Sequence, residues 1–199
     1  MFLIFKKFSN CCFNILILTL QRGKMLNQKN NPEEHKKIRV YLASALGFSE
    51  AGRYFLFNAL IPKIKNSLFE IINPWEYLHG LETNDLTKQI EDLTFESSVR
   101  IGTKNIHDID SCDIVFAVVD GSDVDSGVSS EIGYAFAKGK KVIAYRGDFR
   151  SVGDSSYLRV NLQIETFISL SEGRIFNDLK AALSYLEEEA ENRQHYTVS

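Results

Sequence analysis

From Ile38 onward the apolar positions fall into short β-rich runs separated by stretches of helical period. That alternation builds a parallel sheet with crossover helices. Ile38 to Ala43 (IRVYLA) predicts a first buried strand. Ser49 to Lys65 predicts an amphipathic helix, with Phe55, Leu56, Ala59, Leu60 and Ile64 recurring at helical spacing. Ser49 suits its N-cap, and Glu50 sits favourably near the positive helix end. Phe69 to Asn73 reads as a second strand, stopped by Pro74. Between Asn84 and Ser111 the chain is polar and helix-prone, which predicts two helices broken near Thr94 to Ser98; Ile101, Ile106 and Ile109 mark an apolar side. Asp113 to Val119 (DIVFAVV) is the strongest candidate for a central strand. A loop from Asp120 to Ser130 then leads into a helix over roughly Ser129 to Lys138. Lys141 to Tyr145 predicts the fourth strand, Glu165 to Leu170 the fifth, and Arg174 to Glu191 a closing helix, with 192–199 as a tail.

The fold class is therefore α/β: one doubly wound domain over residues 38–191, a five-stranded parallel sheet of flavodoxin or Rossmann type with helices on both faces. Ligands bind such folds beyond the carboxyl ends of the strands, near the point where strand order reverses. The loops after Ala43, Asn73, Val119 and Tyr145 should then surround one cleft.

Residues 1–37 do not continue this pattern. Lys6 and Lys7 precede the apolar run Cys11 to Leu20 in the manner of a signal peptide. Asn14 interrupts that run, however, Gln21-Arg22 follow it, and no small-residue cleavage site appears. The run is also too short to span a bilayer. Leu26 to Lys37 reads as a polar, flexible lead-in, so the functional chain is expected to begin near Met25, with the earlier residues an extension or start-site artefact.

Composition narrows the partners. A hydrophobic fraction of 44% and a charged fraction of 25% are ordinary for a globular protein, and a net charge of −3 provides no basic face for nucleic acid. Cys11, Cys12 and Cys112 form no disulfide framework, and His35, His79, His107 and His195 are not at ligand spacing. The expectation is a reduced, cytoplasmic protein with no metal or cofactor and no nucleic-acid or membrane partner.

One loop carries candidate chemistry. Asp120 to Ala135 (DGSDVDSGVSSEIGYA) holds acidic residues at 120, 123 and 125, three glycines, and Glu131 read as lying just inside the following helix. A carboxylate in a first turn is favoured as an anion, and an ionised carboxylate facing a cleft can attack a sugar carbon. Gly127 would let backbone and ligand approach closely, and Gly133 would let the helix pack closely on the sheet. The same pattern also suits a structural first-turn Glu and an ordinary acidic turn. A calcium loop of EF-hand type does not fit, because with Asp120 first the sixth residue is Asp125 and the glycine comes at the eighth.

The run Asp125-Ser-Gly-Val-Ser-Ser-Glu131-Ile-Gly-Tyr-Ala resembles the nucleophile motif of the nucleoside 2-deoxyribosyltransferase family. Other segments agree in order: Tyr41-Leu-Ala-Ser with Phe48-Ser-Glu-Ala-Gly-Arg53, Asn105-Ile-x-x-Ile-x-x-Cys-Asp113, Tyr145-Arg-x-Asp-Phe-Arg150, and Val160-Asn161-Leu. Together they span about Ile38 to Leu170. The resemblance implies base exchange on 2′-deoxyribonucleosides through a covalent deoxyribosyl–Glu131 intermediate, with net retention. It implies that Tyr41 holds the Glu131 carboxylate and that Asp125 bonds the sugar 5′-hydroxyl. Asn161 would join that site from a neighbouring subunit, making the protein a homo-oligomer that takes deoxyribonucleosides and free nucleobases. Asn105 stands where better-known bacterial members have an Asp near the base; a polar helix-terminal role is its alternative. Trp75 is either a base-stacking ring or a core tryptophan. The first-strand loop departs from the family, reading Ala-Ser-Ala-Leu-Gly where Ala-Gly-Pro is commoner.

Two competing readings remain. A 2′-deoxynucleoside 5′-phosphate N-glycosidase hydrolyses rather than transfers, and such relatives place a serine six residues before the Glu. This chain has Asp125 there, which accepts from a hydroxyl and repels a phosphate by a few kcal/mol, to order of magnitude; Ser126, Ser129 and Ser130 keep the hydrolase in contention. A non-enzymatic nucleotide-sensing module is the other reading, against which stands the joint presence of Tyr41, Asp125 and Glu131.

Overall fold

The computed structural model describes residues 37–66, 68–76 and 93–197. Strand β1 (Ile38–Ala43) pairs in parallel with β2 (Phe69–Ile72) on one side and with β3 (Ile114–Val118) on the other. Beyond β3 lie β4 (Lys141–Tyr145) and β5 (Arg174–Phe176), giving a five-stranded sheet of order β2-β1-β3-β4-β5. The order reverses between β1 and β3, so the chain leaving these two strands diverges and opens a crevice at their carboxyl ends.

Alternation along each strand divides the core into two layers. Val40, Leu42, Ile114, Phe116 and Ile143 pack with Leu56, Leu60 and Ile64 on one face, together with Ala182, Leu186 and Ala190 of the closing helix. Tyr41, Ala43, Val115, Ala117, Val142 and Ala144 pack on the other face, against Val128, Ile132, Ala135, Ile164 and Ile168. Every residue of β3 is buried, as befits a central parallel strand covered on both sides.

The first helix region runs continuously from α1 (Glu50–Phe55) through a π-helical stretch, Leu56–Leu60, into α2 (Ile61–Ile64). Ser49 caps it, its hydroxyl accepting from the Gly52 amide at 3.0 Å. Helix α3 (Phe95–Ser111) is capped by Thr94, where the helical stretch was expected to break. Ile109 is buried on α3, but Ile106 is 46% exposed and does not belong to the buried side. The expected companion helix over 84–92 lies outside the described residues, as does the N-terminal extension. Among the described residues no helix is long and apolar enough to cross a membrane.

Three boundaries differ from the sequence reading. Helix α4 (Ser126–Ala137) starts earlier, because Asp125 caps it, so much of the expected loop is helix and Glu131 does not lie in the first turn. Glu165 to Leu170 is not the fifth strand but part of α5 (Leu162–Leu170), capped by Asn161 and burying Ile164 and Ile168 at i, i+4 spacing. Its Ile, Thr and Phe content imitates a strand, but packing follows the helical period. The fifth strand is Arg174–Phe176, inside what reads as the closing helix. That helix, α6, starts at Leu179 and runs to Thr197, past Glu191. Gly173 enables the switch: a Cβ there would fall 1.7 Å from the Val142 carbonyl oxygen, so only glycine lets β5 come alongside β4.

Candidate active site

Glu131 projects from α4 at the β1–β3 switch point. Its Oε1 accepts a 2.6 Å hydrogen bond from the phenol of Tyr41, which is fully buried on β1. The same oxygen accepts from the Asn105 amide on α3 at 3.4 Å. Among the described residues Oε2 receives no donor, so one carboxylate oxygen is fixed and the other is left for a ligand. Burial pushes the Glu131 carboxyl up to about 7, and the negative charge of Asp125 adds to that, while the Tyr41 hydrogen bond opposes it. The first-turn account of this anion is thereby corrected. The helix-end field fades within a turn, and Asp125 occupies that end.

Removing the phenol isolates its contribution. Tyr41→Phe is expected to lower kcat/KM by about 10- to 150-fold, the usual worth of a hydrogen bond to a charged group. It should also move the acidic limb of the pH–kcat/KM profile above 7, since the bond lost is one that favours the anion. An unmoved limb would assign Tyr41 to packing.

Asp125 divides its two oxygens. Oδ1 accepts from the amides of Gly127 at 2.9 Å and Val128 at 3.1 Å, capping α4. Oδ2 has no partner among the described residues. Gly127 is shaped by this cap, because a Cβ there would stand 3.0 Å from Asp125 Oδ1. Gly133 comes close to Phe167 of α5, at 3.3 Å for an added Cβ, and not to the sheet as its position first implied. Ser129 and Ser130 turn their hydroxyls onto the carbonyls of Asp125 and Ser126, each at 2.8 Å.

A cavity of about 220 Å³ lies before these groups, lined by Glu131, Asp125, Gly127, Asn105 and Trp75. Five of the seven residues singled out from sequence thus share one wall, and Tyr41 stands behind Glu131. Asn161 is not brought there; it caps α5 through its Oδ1 at 3.0 Å from the Gln163 amide and donates to Asp154 at 3.3 Å. Trp75 is at once core and cavity wall. It is only 8% exposed, and its indole N–H donates to the Ser44 carbonyl at 2.8 Å. Sequence reasoning passed over Ser44, Phe48, Ile101 and Val128, which also line the cavity. The position of Ser44 at the carboxyl end of β1 was the available signal.

Arg146 is buried. It donates to the carbonyls of Val119, Gly121 and Arg150, the latter two at 2.9 Å. Asp120 accepts from the Asp148 amide at 2.9 Å. The loop entering α4 is thus tied to the loop after β4. Arg150 pairs with Asp148. Asp113 orients the start of β3 by accepting from the Arg39 amide at 2.8 Å. Burial pushes the Cys112 thiol up to about 11, as suits a core position.

Fold and site together define a doubly wound α/β protein with a phenol-held, buried carboxylate at its topological switch point. The chain belongs to the nucleoside 2-deoxyribosyltransferase family, whose model matches residues 40–169. This is a family of enzymes that act on nucleosides and nucleobases. Among solved structures, a conserved protein from Enterococcus faecalis V583 is 26% identical, with a TM-score of 0.60 over 79% of this chain and 99% of that one. A 2-deoxyribosyltransferase from Bacillus psychrosaccharolyticus shares the fold at 20% identity and a TM-score of 0.54, covering 73% of this chain and 90% of that one. One from Leishmania mexicana does so at 21% and 0.55, covering 76% and 97%. No curated protein gives a significant match.

Proposed function

We propose that the protein exchanges the base of 2′-deoxyribonucleosides, with Glu131 as nucleophile. The observation that carries this reading is the asymmetry of the Glu131 carboxylate: Oε1 is held by Tyr41 at 2.6 Å, and Oε2 is free beside the cavity. Oε2 attacks C1′ of the sugar, the C1′–N bond breaks, and its electron pair leaves with the base. A second base then attacks C1′ from the vacated face and releases Glu131, the ring N–H proton it gives up balancing the one the departing base takes up, so two inversions give net retention. Asp125 Oδ2 accepts the 5′-hydroxyl. Asn105 orients Glu131 and the base but, as an amide, delivers no proton. Asn161 reaches the site from a neighbouring subunit, which makes the working unit at least a dimer.

Nucleosides are favoured over 5′-nucleotides on two grounds. The Asp125 carboxylate opposes a phosphate at the end of α4, and the Ser129 and Ser130 hydroxyls donate to helix carbonyls. Incubation of deoxyinosine with and without adenine tests the reaction class. Deoxyadenosine formed only with adenine present is the expected result. Release of hypoxanthine without an acceptor at a comparable rate would make the protein an N-glycosidase, and neither product would leave a sensor.

A further inference from the structure

We propose that Ser44 recognises the base, its hydroxyl donating a hydrogen bond to a ring nitrogen or carbonyl oxygen of the purine or pyrimidine. The proposal rests on the reading that the cavity takes a deoxyribonucleoside, and extends it to a residue directly after β1 that lines that cavity.

Ser44 lies on the cavity wall directly after β1 and is only 7% exposed. Its position is fixed from two sides. Its Oγ accepts from the Leu46 amide at 3.1 Å, and its carbonyl accepts from the Trp75 indole at 2.8 Å. Trp75 is itself fixed: its amide donates to Asn73 Oδ1 at 3.2 Å, and Phe48 packs edge-on with ring centroids 4.7 Å apart. Gly47 lies so close that a Cβ would fall 2.0 Å from the indole. This packing holds Ser44 rigidly, and its hydroxyl proton has no acceptor among the described residues. A buried hydroxyl normally donates as well as accepts, so a proton without an acceptor at a cavity wall marks a place for a ligand atom.

The chemistry of the other lining groups indicates which atom. Glu131 Oε2 and Asp125 Oδ2 are acceptors, suited to an electrophilic carbon and a hydroxyl, and they repel the lone pairs of a base. The Tyr41 hydroxyl is committed to Glu131 and the Trp75 N–H to Ser44. Asn105 has committed one N–H to Glu131 and keeps one. Ser44 therefore supplies a hydroxyl donor on the same wall, matched to the acceptor edge every nucleobase presents.

Calorimetric binding of free bases tests this directly and does not depend on turnover. Hypoxanthine and uracil are titrated into the full chain and into Ser44→Ala, alongside 7-deaza-, 3-deaza- and 6-thiohypoxanthine, 2-thiouracil and 4-thiouracil, each of which removes or weakens one acceptor. The natural bases are expected to bind Ser44→Ala about 2- to 12-fold more weakly, the worth of a neutral hydrogen bond. For one analogue in a series that penalty should vanish, as a thermodynamic cycle requires of true partners. Equal affinities overturn the assignment. So does the same penalty on every analogue, which marks a displaced loop, or failure of the wild-type chain to bind any base. If bases bind in the expected pattern but no deoxynucleoside is turned over, the deoxyribosyl-transfer reading fails and Ser44 keeps its role. If transfer proceeds and Ser44→Ala binds normally, Ser44 alone is refuted.

Discussion

Glu131→Gln is expected to abolish base exchange and, in the same molecule, to stabilise the fold. The activity loss should be at least about a thousandfold, roughly 4 kcal/mol of barrier, because an amide oxygen cannot form the glycosyl ester. The stability gain follows from the buried carboxyl, whose folded value is pushed up to about 7 against an ordinary 4.5. A raised carboxyl binds more protons in the folded than in the unfolded state between those two values, so wild-type stability falls as pH rises through that window. Below about 4.5 both states are protonated and the penalty is absent; above about 7 it is complete. At roughly 1.4 kcal/mol per pH unit of displacement it reaches about 3 kcal/mol at most. Glutamine keeps an oxygen to accept from Tyr41 and carries no charge. Urea unfolding at pH 8.5 should therefore show Glu131→Gln about 1–3 kcal/mol more stable than wild type, a margin that shrinks toward pH 5. A variant no more stable than wild type at pH 8.5 would refute the buried-charge account, whatever its activity.

Asp125 offers the second large effect, because its two oxygens can be separated by substitution. Asp125→Ala removes both cap and carboxylate and should cost about 1 kcal/mol of stability, typical of a lost N-cap. Asp125→Ser retains a capping oxygen and should stay within about 0.5 kcal/mol of wild type. Both variants should lose about 10- to 150-fold in kcat/KM on deoxynucleosides, as expected when a charge-assisted bond to the 5′-hydroxyl disappears. Both should at the same time relieve discrimination against deoxynucleoside monophosphates, measured as the ratio of the two kcat/KM values, and Asp125→Ser more so because its hydroxyl can donate to a phosphate oxygen. An unchanged ratio would remove Asp125 from substrate selection and leave it a helix cap.

Much of the fold was legible because its central strands are locally unambiguous. Ile38 to Ala43, Asp113 to Val119 and Lys141 to Tyr145 are short apolar runs with polar boundaries, and their parallel pairing follows from the helices between them. The last third was harder to read for physical reasons. Helix α5 carries residues that favour strands, and its period becomes visible only when Asn161 is seen as a cap. Strand β5 spans Arg174–Phe176 alone and depends on long-range pairing with β4 and on the Gly173 contact, neither of which leaves a periodic trace.

The candidate site was legible as residues but not as electrostatics. Ordered motifs singled out Tyr41, Asn105, Asp125 and Glu131, which the fold gathers. The charge state of Glu131, however, depends on where α4 begins and on how deeply tertiary packing buries the carboxyl. Ser44 was marked only by its place at the carboxyl end of β1, because a loop serine acquires a particular role only from what surrounds it.

The hydrogen bond between Tyr41 and Glu131 also has a consequence for assembly. Its partners are 90 positions apart in the chain. Helix α4 can cap itself from Asp125 using only nearby residues, whereas the phenol arrives on β1, when β1 docks against β3. Closing a loop of that length costs about 4 kcal/mol of chain entropy before any contact offsets it. In a refolding chain, helical signal is therefore expected to return ahead of enzymatic activity, because the nucleophile acquires its partner only when the two central strands meet.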